Sequence, residues 1–336
     1  MKNVLCATVM LCLLAGPAFA RENNDFYDDA STHELAGPAL RIEGEVVNPG
    51  MVDLSKLPLR SLIVKEAVNK KNEVKFVGAY RYDGYSLFDI LKERLPLKKN
   101  EKEFSSVIDL LLLIENARGE KIVASWGEVF YPPALHRILL ATKVAPIIPS
   151  KTKEQWPLPK KNKLVFGADL LTGRNISEPT KITVFSAPHR FKTVKGLSPL
   201  YSPAISLFRE GKLVQKVEQL PSTERRTFPS VFFGRGKGFH GLEHFQGVLL
   251  KDALKKEFPS TPERIKESFF TFAGVDGYRI AVSFSELFNR NDNAEFLLYD
   301  KGNSEDGGRF CLFPASDFFS DRAVKAVKEV HLDRLP

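Results

Sequence analysis

Cysteine is scarce: the 336 residues hold three, at Cys6, Cys12 and Cys311. So few thiols exclude a disulfide-built scaffold and a cysteine-rich metal protein. No apolar run reaches the ~20 residues a membrane-crossing helix needs, so no membrane span is expected. Gly-x-Ser-x-Gly, Cys-x-x-Cys-His and P-loop patterns are all missing, which removes the usual sequence marks of a serine hydrolase, a c-type haem protein and a P-loop nucleotidase. The formal charge of +8 is spread along the chain. It favours anionic partners but is too small to point to nucleic acid, and none is expected. Against these absences stand 43% apolar residues and 26 phenylalanines, enough to exclude disorder for most of the chain. At ~150 residues per domain the length suits two domains.

The first twenty residues, Met1 to Ala20, combine Lys2, an apolar stretch from Val4 to Ala15 and the small-residue site Ala18-Phe19-Ala20. This is the pattern of a cleaved secretory signal peptide, so a periplasmic or secreted protein is expected. Cys6 and Cys12 would leave with it. Cys311 would then be a lone thiol in an oxidising compartment, with no internal disulfide to form. Residues 21–37 are polar and acidic and read as a flexible leader.

Two stretches of the chain repeat one order of features. Gly84-Tyr-Ser-Leu87-Phe-Asp89-Ile-Leu91 matches Gly247-Val-Leu-Leu250-Lys-Asp252-Ala-Leu254, each a glycine leading into an amphipathic helix. Gly119 to Phe130 matches Gly277 to Phe288, each a turn glycine, a short strand and a Ser-x-x-Glu cap (Ser125/Glu128 and Ser283/Glu286). Ile138 to Ala141 then matches Phe296 to Tyr299, and Asp169-x4-Arg174 matches Asp317-x4-Arg322. Each Asp-x4-Arg leads into a terminal strand. The offset between copies drifts from 163 to 158 to 148 residues, as loop insertions would cause. The expected division is a first domain over 38–186, a proline-bearing linker over 187–203 and a second domain over 204–336. A proline- and lysine-rich insertion from Pro146 to Lys163, around Trp156, reads as a surface loop.

The opening Arg41-Ile-Glu-Gly44 strand, the Pro49-Gly50 turn and Leu54-x-x-Leu57-Pro58 precede the Gly-x-x-Leu-x-Asp-x-Leu helix and the Ser-x-x-Glu cap. With Phe245-Gln-Gly-Val248-Leu-Leu250, this series resembles the molybdopterin-binding domain of the sulfite oxidase family. The resemblance is weak over about 40–185 and clearer over 204–334. It implies an α+β fold: two tandem sulfite oxidase-like molybdopterin-binding domains of mixed sheet with short helices. It also implies molybdopterin as a possible cofactor, with molybdenum bound by a cysteine upstream of the Gly-Val-x-Leu helix, because a soft thiolate completes the metal's coordination. Here the corresponding segments, Ser61 to Lys71 and Leu213 to Arg226, contain no cysteine. Cys311 reads as a buried strand residue. The expectation is therefore an exported, non-redox binding or accessory protein without a cofactor, recognising a small anionic ligand or an exported protein partner. A molybdopterin-dependent oxidoreductase with atypical metal ligation is the alternative.

The segment Gly234-Arg235-Gly-Lys237-Gly-Phe-His240-Gly241-Leu-Glu243-His244 supplies the candidate ligand-binding residues Arg235, Lys237, His240 and His244. Its Gly-x-Gly-x-x-Gly lacks the crossover and acidic ribose ligand of a dinucleotide fold. Its His-x-x-Glu-His needs a helix, which four glycines oppose. An anion-binding loop of backbone N–H groups flanked by Arg235 and Lys237 remains, alongside a plain basic loop. No metal ligand and no catalytic residue is assigned. Glu128 and Glu286 read as caps, the Asp-x4-Arg pairs as braces, Asp300 to Gly308 as a polar loop, and Lys65 to Lys71 and Lys98 to Lys102 as solvated charge.

Overall fold

The computed structural model describes residues 30–70, 73–302 and 307–335. The expected signal peptide, the expected leader up to residue 29, Lys71 and part of the 300–308 loop lie outside them. The first half of the chain begins with β1 (His33–Glu34), β2 (Arg41–Gly44), β3 (Gly50–Met51), β4 (Arg60–Lys70) and β5 (Glu73–Ser86). It continues through α1 (Leu87–Leu91), β6 (Leu110–Asn116), β7 (Lys121–Ser125), α2 (Trp126–Phe130), β8 (Ile138–Pro146), β9 (Lys163–Phe166), β10 (Ile176–Ser177) and β11 (Pro179–Ser186). The second half opens with β12 (Ile205–Arg209), β13 (Lys212–Val217), β14 (Arg225–Gly234), β15 (Gly238–Leu249), α3 (Leu250–Leu254) and α4 (Pro262–Glu267). It closes with β16 (Ser268–Gly274), β17 (Arg279–Ser283), α5 (Phe284–Phe288), β18 (Phe296–Tyr299), β19 (Cys311–Pro314) and β20 (Val327–Arg334).

The α+β expectation is overturned. Among the described residues 45% are strand and 13% helix, in four small sheets in a β-propeller-like arrangement with five short helices. Two of these sheets differ from an antiparallel propeller blade in holding a parallel pair, β2 with β11 and β12 with β20. The glycine and cap patterns did mark helix starts, but α1, α2, α3 and α5 each stop after five residues. Helices that short have no stability of their own and persist through caps and packing. Ser86, Ser125 and Ser283 provide those caps, accepting from the backbone N–H of Asp89, Glu128 and Glu286. The charged stretches around Lys65 and Arg225, by contrast, are parts of the long strands β4 and β14.

Strand order is matched between the halves. One sheet runs β3-β2-β11-β6-β7 and its counterpart β13-β12-β20-β16-β17; the other pair centres on β9-β8-β5-β4 and β19-β18-β15-β14. The repeated glycines have a packing reason. A Cβ on Gly84 would collide with the carbonyl of Leu140 in β8, and a Cβ on Gly247 with that of Leu298 in β18. In both halves glycine lets the long hairpin close onto its neighbour.

Each half has its own apolar interior. Leu87, Leu112, Ile182 and Phe166 fill the first, and Phe270, Phe272, Phe284 and Phe296 the second. Leu111 and Val123 of the first half meet Phe269 and Ala281 of the second in a further buried cluster. Cross-strand alternation explains it: Leu111 and Val123 point out of the first core and toward the neighbouring sheet. No helix among the described residues is long and apolar enough to cross a membrane.

Candidate functional site

The four residues singled out by sequence lie on one two-stranded ribbon. β14 and β15 pair from Arg225↔Val248 to Gly234↔Gly238, so only Arg235 to Lys237 form the turn. The glycine-rich segment is therefore mostly strand rather than loop or helix, which removes the geometry that His-x-x-Glu-His would need. A bulge between Phe232 and Phe233 brings the His240 ring against Phe232, 5.5 Å away, and Phe232 packs on Phe245. His244 pairs with Pro229 and precedes Phe245, so it projects from the opposite face. The two imidazoles do not converge. Among the described residues no group of three His, Cys, Asp or Glu side chains could hold a metal ion.

Arg235 is already engaged. Its Nη2 donates to the Tyr131 hydroxyl at 3.2 Å, its Nε lies 3.0 Å from Asp321, and its guanidinium covers the Phe319 ring at 4.9 Å. Burial pushes the Tyr131 phenol up to about 12, so it remains a neutral partner at physiological pH. Phe233 packs near Phe318 and Phe319 at 5.8 and 6.1 Å, and Phe245 stacks on Phe313 at 3.8 Å. The ribbon thus lies against the body through Phe245 along its length and through Phe233 and Arg235 near its turn. Lys237 is exposed at the turn, and neither it nor Arg225 has an ion pair among the described residues.

The other face is open and carries an apolar pair beside His244. Val231 and Leu242 are cross-strand partners with 66% and 62% of their surface exposed; Phe239, beside the turn, is 66% exposed. Sequence reading missed these three because the glycines between them hide the period-two pattern.

The Asp-x4-Arg pairs form a different feature, wholly buried. Arg174 makes a two-pronged contact with Asp169 at 2.7 and 2.8 Å and also reaches Glu128 at 2.8 and 3.0 Å. Arg322 does the same with Asp317, both at 2.6 Å, and reaches Glu286 at 2.7 Å. Glu128 completes the expected capping box. Glu286 does not; its carboxylate turns instead to Arg322 and to Ser125 of the other half. Arg174 returns the crossing by donating to Ser283 at 3.2 Å. A second correction concerns Lys98, read as solvated. It is buried and paired with Asp109, which also holds Arg279 from the second half at 3.2 Å.

The residues present do not fit a thiolate-held molybdenum. Cys311 is buried in β19, its Sγ 3.1 Å from the Gly307 carbonyl, and burial raises its pKa. The segment from Leu213 to Arg226 spans β13 and the start of β14 and offers no soft ligand. A cleft of about 490 Å³ lined by Glu120, Lys121, Lys266, Glu267 and Arg334 is equally without one. No family model matches the chain, and no curated protein matches its sequence.

Proposed function

We propose that this chain is an exported binding or accessory protein that engages an acidic exported protein partner through the outer face of the β14–β15 ribbon. The exposed Val231–Leu242 pair carries this reading: an apolar patch on a pinned, ordered ribbon is a surface that association would bury. Unpaired Arg225 and Lys237 flank it and favour an acidic rim on the partner. A small anion is the weaker occupant, because Arg235 already spends its donors on Tyr131 and Asp321.

The partner meets the face rather than the edge. Pro229 sits inside β14, the outermost strand of its sheet, and has no N–H to offer an added strand. Edge prolines of this kind protect against strand addition by a second copy. Protein recovered from the exported fraction tests the reading by its metal and pterin content. Neither should be present in stoichiometric amount; stoichiometric molybdenum or pterin would overturn it in favour of a molybdopterin-dependent oxidoreductase with unusual ligation.

A further inference from the structure

The junction between the halves holds more buried carboxylates than cations. Four arginines (Arg137, Arg174, Arg290 and Arg322) face five carboxylates (Glu128, Asp169, Glu286, Asp292 and Asp317). Arg137 is the most exposed of them, with 40% of its side chain open, while Glu286, Asp317 and Arg322 are at most 1% exposed. A surplus negative charge in such a place is costly unless a proton neutralises it.

The contacts single out where that proton sits. Asp169 and Asp317 each take both prongs of an arginine, and Asp292 takes both from Arg290 with Arg137 added. Glu128 takes two N–H groups of Arg174 and the Ser125 backbone N–H. Glu286 alone has a single cation contact, Arg322 on Oε1, while Oε2 faces only the Ser125 hydroxyl at 2.7 Å.

We propose that Glu286 carries a proton at neutral pH and that losing it on the alkaline side loosens the two halves from each other. The groups around Glu286 are Arg322 from the 317–322 loop, Ser125 from the end of β7, Glu128 from α2 and Arg290 just after α5. Arg322 and Arg290 favour the anion; Glu128 opposes it. Burial is the largest influence and raises the carboxyl above its ordinary 4.5. A carboxyl raised in the folded state binds more protons there than in the unfolded chain, across the window between 4.5 and the raised value. Stability therefore falls as pH rises through that window and levels off above it. The Ser125 contact crosses between halves, so the ionised form places its repulsion at the seam.

The test is thermal unfolding of the full chain from about pH 6 to about pH 9, in wild type, Glu286→Gln and Asp169→Asn. Glu286→Gln should match or exceed wild type near neutral pH and decline less steeply on the alkaline side. Asp169→Asn, which removes one prong from Arg174, should lower Tm at every pH. If Glu286→Gln instead lowers the neutral Tm as much as Asp169→Asn and keeps the wild-type slope, the proposal fails. Should that variant not fold, infrared titration of wild type decides. The carbonyl stretch of a protonated carboxyl, present at neutral pH and lost on the alkaline side, supports the proposal; its absence at neutral pH overturns it.

Discussion

The Ser125 hydroxyl donates to the Glu286 carboxylate at 2.7 Å although 161 residues separate them. Each residue belongs to the same Ser-x-x-Glu cap in its own half, so the contact joins equivalent points of the two copies. With Arg174 reaching Ser283 in return, the caps that start α2 and α5 also bind the halves together. A local helix-capping pattern has become part of a long-range seam.

Removing one arginine from this seam strands its carboxylates. Arg322→Leu leaves the Asp317 carboxylate, next to Glu286, buried without its cation, and Arg174→Leu does the same to Asp169 and Glu128. Each should cost about 3–5 kcal/mol, the usual penalty for breaking a buried pair from one side. Urea unfolding should show the larger loss for Arg174→Leu, which strands two carboxylates where Arg322→Leu strands one.

The second seam predicts a smaller effect. Lys98 pairs with Asp109, burial lowers its pKa against that contact, and its amino group also donates to the Phe104 carbonyl at 2.7 Å. Lys98→Met leaves Asp109 with Arg279 and Asn100, at 3.2 and 3.1 Å. The expected cost is about 2–3 kcal/mol, at or below the lower end for a one-sided break, because the carboxylate keeps these partners. Equilibrium unfolding measures it.

His331 gives an acid-side prediction. Its ring stacks on Phe208 at 4.5 Å and lies 4.0 Å from that of His189, which bonds Asp333 at 2.6 Å. Burial lowers the His331 pKa below 6.5, against the opposing contact with Glu329. A histidine so lowered binds fewer protons folded than unfolded, so its contribution is complete above 6.5 and declines as pH falls toward the lowered value. The urea midpoint should fall with pH through that window, and His331→Phe, which keeps a ring on Phe208, should flatten the fall.

What the sequence disclosed was local. The Ser125–Glu128 box and the Asp169–Arg174 and Asp317–Arg322 pairs were legible because each lies within five residues. Their crossings to Ser283 and Glu286 were not, since nothing in a linear pattern brings residues more than a hundred positions apart into contact. Helix starts were visible at Ser86, Ser125 and Ser283, but a cap does not fix how far a helix runs, and the α+β expectation came from the family resemblance rather than from these caps. The strands β4 and β14 were hidden by Lys65, Lys70, Arg225 and Arg226, whose charges mask the alternation of Val64 with Glu66 and of Phe228 with Phe232. The sequence singles out the segment from Gly234 to His244, but a bulge and a pairing register decide which way His240 and His244 point.

The outer face of the ribbon should tolerate change without loss of fold. Val231→Asp and Lys237→Glu alter exposed side chains and should move stability by no more than about 0.5 kcal/mol. The most direct test of the proposed function builds on that. A photo-reactive phenylalanine at position 242, irradiated in cells that export the protein, should yield one discrete protein adduct with an acidic partner. Val231→Asp and Lys237→Glu should each abolish that adduct while the thermal midpoint stays unchanged. An adduct that survives both substitutions, or no adduct with the protein folded and exported, would contradict the ribbon as the partner-binding surface.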